Sequence, residues 1–329
     1  MHAGVPLATE SRSGRIEAVH QGHAVLLAPD GTVAASWGDP ELATYWRSSA
    51  KPIQVLTFLA AGGPGAIGLP DDEVVALACA SHSTQQRHLD LSRRFLAAAG
   101  LVEADYGCGG HEPIGPGGVP GPWSAVHNNC SGKHAAMLAA CRLRGWPTEG
   151  YLDPHHPIQQ AILADVARLT GRDAASIEVG VDGCRAPTFW LSPLDLARAF
   201  QRLDQEPVGQ RVFDAMALWP VLVGGEGRFC TALPRATRGD VVGKVGAMGL
   251  YVALHRPTGA ALAVKVTSGP RMPVQESVAC ALAEAAGWLD DDARSALAPF
   301  QRQVLMDTRG CPVGELEPSL PGGNHVSGP

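Results

Sequence analysis

Val241-Val242-Gly243-Lys244-Val245-Gly246, Leu250-Tyr251-Val252-Ala253-Leu254 and Ala260-Ala261-Leu262-Ala263-Val264-Lys265-Val266 follow one another with turn residues between them. Short apolar runs bounded by turns read as strands. The comparable group lies at the opposite end of the chain. There, residues 15–28 alternate loosely, Asp30-Gly31 supplies a turn, and residues 32–37 complete a hairpin signal. Strands must satisfy their backbone N–H and C=O groups. Two sets at opposite ends do so by pairing with each other. The expected fold is therefore α+β, an antiparallel sheet of N- and C-terminal strands packed with a helical lobe. A single catalytic domain is expected over 1–329, with a sheet lobe at about 15–60 and 225–329 and a helical lobe at about 61–224. Residues 1–14 read as a loose arm, and the Pro/Gly-rich tail after Gly314 as ordered only by contacts.

The middle of the chain carries helix signals. Pro70-Asp71-Asp72-Glu73 puts proline and acids in a first turn, where no intrahelical N–H is lost and the dipole favours negative charge. Ser83 is expected to cap a helix over 84–99, closed by Gly100. Asn129 is expected to cap a helix over 135–144. Others are expected at 157–170, at 194–203 behind Ser192-Pro193, at 274–286 and at 293–300. Residues 106–122, rich in Gly and Pro, read as a functional or surface loop.

With 329 residues, 45% of them hydrophobic, the chain can bury a large core. A net charge of −6 without a Lys/Arg cluster argues against nucleic acid as a partner. No basic segment followed by an apolar run opens the chain, and no run is long enough to cross a bilayer. A cytoplasmic protein without membrane partners is expected. The eight cysteines are scattered, which favours thiols or metal ligands over a disulfide framework.

Four groups of residues can carry chemistry. In Arg47-Ser48-Ser49-Ala50-Lys51-Pro52, Ser48 and Lys51 are three apart, so on a helix they share a face. A serine needs a base to become a nucleophile, and a lysine serves as one only as the neutral amine, which burial or a second cation favours. Pro52 fits if the helix has just begun. In Ser81-His82-Ser83, a sequence-adjacent histidine rarely reaches its neighbour's hydroxyl, so His82 is not assigned as a base. Lys265 sits at the end of a nearly all-apolar run and reads as part of an internal strand. In Cys130-Ser131-Gly132-Lys133, Cys130 and Lys133 share a helix face, and Cys184 lies in a turn-like segment. From the residues alone these cysteines read as structural. Gly132-Lys133 lacks the earlier glycine and the Ser/Thr of a phosphate-binding loop.

Taken together, these stretches resemble the Rhizobium etli-type L-asparaginases, the type II, thermolabile, zinc-associated class. The resemblance runs from His20-Gln21-Gly22-His23 to Gly246-Ala247-Met248-Gly249. Its specific motifs are His127-Asn128-Asn129-Cys130-Ser131-Gly132-Lys133-His134 and Val181-Asp182-Gly183-Cys184-Arg185-Ala186-Pro187. It implies hydrolysis of L-asparagine to L-aspartate and ammonia by two Ser–Lys pairs, Ser48 with Lys51 and Ser81 with Lys265. Ser48 would attack the side-chain amide carbon and Lys51 take its proton, while Ser81 and Lys265 relay a proton to the leaving ammonia. It implies one zinc ion per chain on Cys130, Lys133 and Cys184, expected to modulate more than to catalyse. Arg47, His134 and Asp182 are the candidates for substrate binding, Arg47 and Asp182 for the α-carboxylate and α-ammonium. The implied fold is similar to serine β-lactamases and glutaminases, and the implied state is a homodimer acting on a small molecule. Met248 stands where an acidic residue is expected, and Lys265 precedes Val-Thr-Ser-Gly where an acidic turn is expected. The rival readings are a penicillin-recognising acyl transferase or β-lactamase, opposed by the lack of a Ser-Asp-Asn run, and a zinc-stabilised homologue without catalysis.

Overall fold

The computed structural model describes residues 4–268, 272–322 and 324–325. Gly269, which closes the run after Lys265, lies outside them. In chain order the strands are β1 (Val5–Arg12), β2 (Arg15–Leu27), β3 (Val33–Trp37), β4 (Thr44–Tyr45), β5 (Glu178–Val181), β6 (Pro187–Leu191), β7 (Val241–Gly246), β8 (Leu250–His255), β9 (Ala260–Val266), β10 (Gln303–Met306), β11 (Pro312–Pro318) and β12 (Asn324–His325). The α-helices are α1 (Lys51–Gln54), α2 (Leu56–Ala60), α3 (Asp71–Ala78), α4 (Gln86–Ala98), α5 (Ser131–Arg144), α6 (Pro157–Thr170), α7 (Pro193–Asp204), α8 (Pro207–Leu218), α9 (Pro220–Val223), α10 (Phe229–Ala236), α11 (Met272–Ala285) and α12 (Asp291–Gln301). The chain divides into two compact units. One takes the chain up to Ser49, Leu191–Gln201 and everything from Ala236; the other takes Ala50–Trp190 and Arg202–Arg235. Among the described residues no helix is long and apolar enough to cross a membrane.

The first unit is built on a nine-stranded antiparallel sheet in which both ends of the chain take part. Its main order is β10-β11-β1-β2-β9-β8-β7, with β3 pairing the last residues of β2 and also β12. The expected α+β plan with a sheet of N- and C-terminal strands is present. Helix α11 lies against β9, β8, β11 and β1. The three apolar runs form β7, β8 and β9, and burial at nearly every position explains why they do not alternate. The N-terminal arm is different from its expectation. Residues 5–12 form β1, hydrogen-bonded between β2 and β11. Leu7, Ala8, Thr9 and Glu10 are all buried, so no period of two shows, and Pro6 interrupts the pattern. Glu10 is tolerated because His20 Nε2 lies 2.8 Å from its carboxylate. The tail after Gly314, expected to be ordered by contacts, contributes the latter part of β11.

The second unit is mainly helical, with β5 paired antiparallel to β6. Helix α3 packs on α8, α5 and α9, and α5 also on α2 and α4. Every residue of α5 from Ser131 to Cys141 is buried. Its approach to α3 is close enough that a Cβ on Gly132 would sit 2.1 Å from the Leu77 carbonyl oxygen. Gly132 is therefore a packing residue, which fits its lack of a phosphate-loop context. The helix ends hold two corrections. Gln85, not Ser83, occupies the N-cap of α4, where its own N–H donates to His88 Nδ1 at 3.0 Å. Asn129 does not cap α5; Cys130 occupies the N-cap, and Asn128 Oδ1 accepts from the Cys130 N–H at 2.9 Å. Ser192 does cap α7, accepting from the Asp195 N–H at 3.0 Å and donating to Asp195 Oδ2 at 2.8 Å.

Candidate active site

Ser48 lies in a 3₁₀ turn, Arg47–Ala50, that runs directly into α1 at Lys51. Trp46 anchors this turn. Its carbonyl accepts from the Ser49 N–H at 3.1 Å, and its Nε1 donates to the Ser192 carbonyl at 3.1 Å. Arg47 takes a left-handed backbone, φ 50°, which a non-glycine residue adopts only under constraint. Ser48 is buried, 8% exposed. Pro52 falls in the first turn, as its missing N–H requires. The helix is short, however: α1 ends at Gln54 and α2 begins at Leu56. Four residues carry little macrodipole, so α1 lends little support to an anion.

Lys51 is completely buried within the helical unit. A buried polar nitrogen is costly unless it is hydrogen-bonded. Nζ donates to the Ala80 carbonyl in a short bond and to Ser81 Oγ at 3.1 Å. Ser81 is held by its N–H donating to the Val223 carbonyl at 2.9 Å, and Ser83 N–H donates to Gly224 at 3.0 Å. The structure thus brings together Lys51 and Ser81, a pairing that their sequence separation does not suggest.

His82 is fully buried. The Thr84 N–H donates to Nδ1 at 3.2 Å, so the proton is on Nε2, which donates to Ser131 Oγ at 2.9 Å. Ser131 Oγ lies 3.0 Å from Ser92 Oγ. His82 stacks on His88 with 4.8 Å between ring centroids, and His88 Nε2 donates to the Val221 carbonyl at 2.8 Å. Burial and the neighbouring His88 hold His82 well below the usual histidine range. Burial pushes His88 down to about 4. Burial thus favours the neutral form of both imidazoles.

Cys130, Lys133 and Cys184 converge in the same unit, each at most 5% exposed. Lys133 Nζ donates to Cys184 Sγ at 3.1 Å, and Cys130 hydrogen-bonds Cys184. That bond and the Lys133 ammonium pull the Cys184 thiol down to about 5, against the cost of burial. Cys130 is the partner that keeps its proton, pushed up to about 12 by its bond to Cys184 and by burial. Cys184 is presented by a turn in which Asp182 N–H donates to the Ala186 carbonyl and Arg185 adopts φ 71°. Among the described residues no three His, Cys, Asp or Glu side chains converge as metal ligands. A three-ligand site here therefore requires Lys133, which binds metal only after losing the proton now given to Cys184. Two soft sulfurs and one amine nitrogen suit a tetrahedral zinc with one position left open. A third thiol, Cys108, lies within electrostatic reach of both sulfurs, and burial raises it to about 12. Sequence reasoning passed over it, since Cys108 lies in a Gly-rich loop without ligand spacing.

Asp182 stands close enough to Lys133 to favour its charged form. His134 is fully buried beside Lys133, and burial pushes it down to about 3. In the sheet unit, Lys265 is in β9 between β2 and β8, opposite His23 and Leu250, so the strand is internal as expected. Burial lowers Lys265 below the ordinary lysine range. Its Nζ donates to the Val266 carbonyl at 2.9 Å and, in a short bond, to the Met248 carbonyl. Met248 has φ 60° and a half-exposed side chain. Its backbone oxygen therefore meets the lysine even though the expected acidic side chain is missing.

A family model described as L-asparaginase II matches residues 8–318. No curated protein matches the chain. Among solved structures the chain is similar to a β-lactamase from Mycobacterium bovis, at 14% identity and a TM-score of 0.38, over 85% of this chain and 95% of that one. It is also similar to a putative β-lactamase from Bacteroides dorei DSM 17855, at 13% identity and a TM-score of 0.41, over 75% of this chain and 86% of that one. Since the family match spans nearly the whole sequence, including every motif described above, the chain belongs to the L-asparaginase II family.

Proposed function

We propose that this amidohydrolase is an L-asparaginase of the Rhizobium etli type, converting L-asparagine and water to L-aspartate and ammonia. The family match carries the reading. The buried Lys51 amine on Ser81 supports it, because acyl transfer needs a serine with a base in a water-poor setting. Ser48 attacks the side-chain amide carbon and Lys51 accepts its proton. Ser81 and Lys265 return a proton to the departing ammonia, and water hydrolyses the ester by the reverse path. Arg47 and Asp182 hold the α-carboxylate and α-ammonium, with His134 as a further substrate contact. Cys130, Lys133 and Cys184 would hold one zinc, which when bound supplies a positive charge and a cross-link between two segments of the helical unit. The working unit is a homodimer in the cytoplasm.

A second assignment of the nucleophile rests on one observation. Ser81 Oγ, 3.1 Å from Lys51 Nζ, is itself placed to be activated. The test measures ammonia release from L-asparagine, with L-glutamine and a chromogenic β-lactam as comparators, for the wild type, Ser48→Ala and Ser81→Ala. Ser48→Ala is expected to abolish turnover and to prevent capture of an acyl-enzyme by mass spectrometry. A folded Ser48→Ala protein that still forms the ester moves the nucleophile to Ser81. Hydrolysis of the β-lactam without ammonia release from asparagine would remove the asparaginase reading altogether.

A further inference from the structure

Tyr151 is a buried residue of the helical unit with no chemical signal in its sequence context, Gly150-Tyr151-Leu152. Its hydroxyl accepts from the Gly107 N–H at 2.8 Å and lies 2.7 Å from His134 Nδ1. The other imidazole nitrogen, His134 Nε2, is buried and has no hydrogen-bond partner among the described residues. Two rings fix the imidazole plane. Tyr151 and Tyr106 meet it edge-on, at 88° and 89°, with centroids 5.7 and 6.4 Å away.

Counting donors assigns the proton. A tyrosine hydroxyl has one hydrogen and two acceptor positions. With Gly107 occupying one of them, the O–H can donate to Nδ1, and the imidazole proton then sits on Nε2. In the opposite tautomer Nδ1–H would donate to the phenol oxygen. That would leave both the tyrosine O–H and the Nε2 lone pair buried without partners. The first arrangement leaves one unused group and the second leaves two, so the first is favoured.

We propose that Tyr151 is a positioning residue that holds His134 as an Nε2–H donor, and that this donor serves a carboxylate oxygen of the bound amino-acid substrate. An N–H cannot receive an ammonium, so the partner is an oxygen. A carboxylate is the acceptor that best repays a buried donor. The inference rests on the proposed amino-acid amide substrate.

The test uses full-length protein with ¹⁵N-labelled histidine, His134 being assigned by loss of its signals in His134→Gln. The wild type is expected to show a neutral imidazole protonated on Nε2, with that signal shifting when L-aspartate is added. Tyr151→Phe is expected to redistribute the proton toward Nδ1. It should also raise KM for L-asparagine by roughly 10-fold or more, the scale of one hydrogen bond to a charged group, while kcat changes less. An Nδ1–H wild type overturns the proposal, as does a Tyr151→Phe protein that changes only one of tautomer and KM, or neither. If Tyr151→Phe does not fold, His134→Gln and His134→Leu decide. Glutamine retains an N–H and should keep KM closer to the wild type; equal or reversed effects overturn the proposal. Should the wild type leave L-asparagine intact, the proposed function fails. The tautomer and the shift with L-aspartate then still decide this inference by themselves.

Discussion

Ser81 and Lys51 show how much a single residue's neighbours matter and how little sequence spacing says about them. The i, i+3 argument points Lys51 at Ser48, and the structure adds a second hydroxyl, that of Ser81, hydrogen-bonded to its Nζ. Nothing in the residues between 51 and 81 signals that meeting, because it depends on the path of Val223 and Gly224, which hold Ser81 and Ser83 by their N–H groups. Motif content was legible at this scale: Arg47, Thr84, Arg185 and Met248, each in or beside a motif read from sequence, all adopt positive φ. Such backbone persists only where surrounding contacts impose it. Lys51→Ala is expected to lower kcat for ammonia release by at least ~100-fold, the usual loss for a general base. The rate is measured at saturating asparagine, with circular dichroism to confirm the fold. A loss below tenfold would exclude Lys51 as the base.

Helix α5 carries Lys133 and His134, and follows Cys130 at its N-cap, so its seating on α3 decides the geometry of the cysteine–lysine cluster. Gly132→Ala places a methyl 2.1 Å from the Leu77 oxygen. That oxygen is backbone and cannot swing away, so the helix must shift. A loss of about 1–3 kcal/mol is expected, the range for overpacking, read by urea denaturation. Zinc, if bound at the proposed ligands, should number about one per chain by the ligand count and be lost in Cys184→Ala. Chelation is expected to raise KM or lower Tm with a smaller change in kcat. A collapse of kcat at unchanged binding would make the ion a Lewis acid instead. Helix existence and the cap at Ser192 were legible because periodicity and N-cap chemistry are local. The caps of α4 and α5 were misread because Gln85 and Cys130 are poor intrinsic caps. At α4 the match comes from His88, which accepts the Gln85 N–H at 3.0 Å.

Acid stability belongs to the molecule as a whole, since it sums over buried groups. His88 is held at about 4 and His134 at about 3, both chiefly by burial, and His82 well below its ordinary value of 6.5. Between pH 6.5 and about 4 the unfolded chain binds protons on these imidazoles and the native chain does not. Stability contributed by the neutral forms is complete above pH 6.5 and is lost as pH falls toward the native values. Tm should therefore drop steeply below pH 6.5, and His88→Asn should flatten part of that slope; a Tm independent of pH from 7 to 4.5 would contradict it. The sheet was legible as a plan and not in its full membership. β7, β8 and β9 declare themselves by apolar runs, whereas β1 and β11 are partly polar and pair with each other across about 300 residues, and β10 is four residues long and pairs β11. That separation has a consequence for synthesis. β1 is made before the other strands of this sheet, yet its second edge stays unpaired until residues 312–318 of β11 have been made. At 5–20 residues per second the delay is roughly 15–60 s. Throughout it, the nascent β1–β2 hairpin offers an open edge to every neighbouring polypeptide. The helical unit, which ends at Arg235, can condense before the sheet is complete. Vectorial synthesis therefore makes the first-made strand among the last to be fully paired, and the dependence of yield on chaperones should reside there.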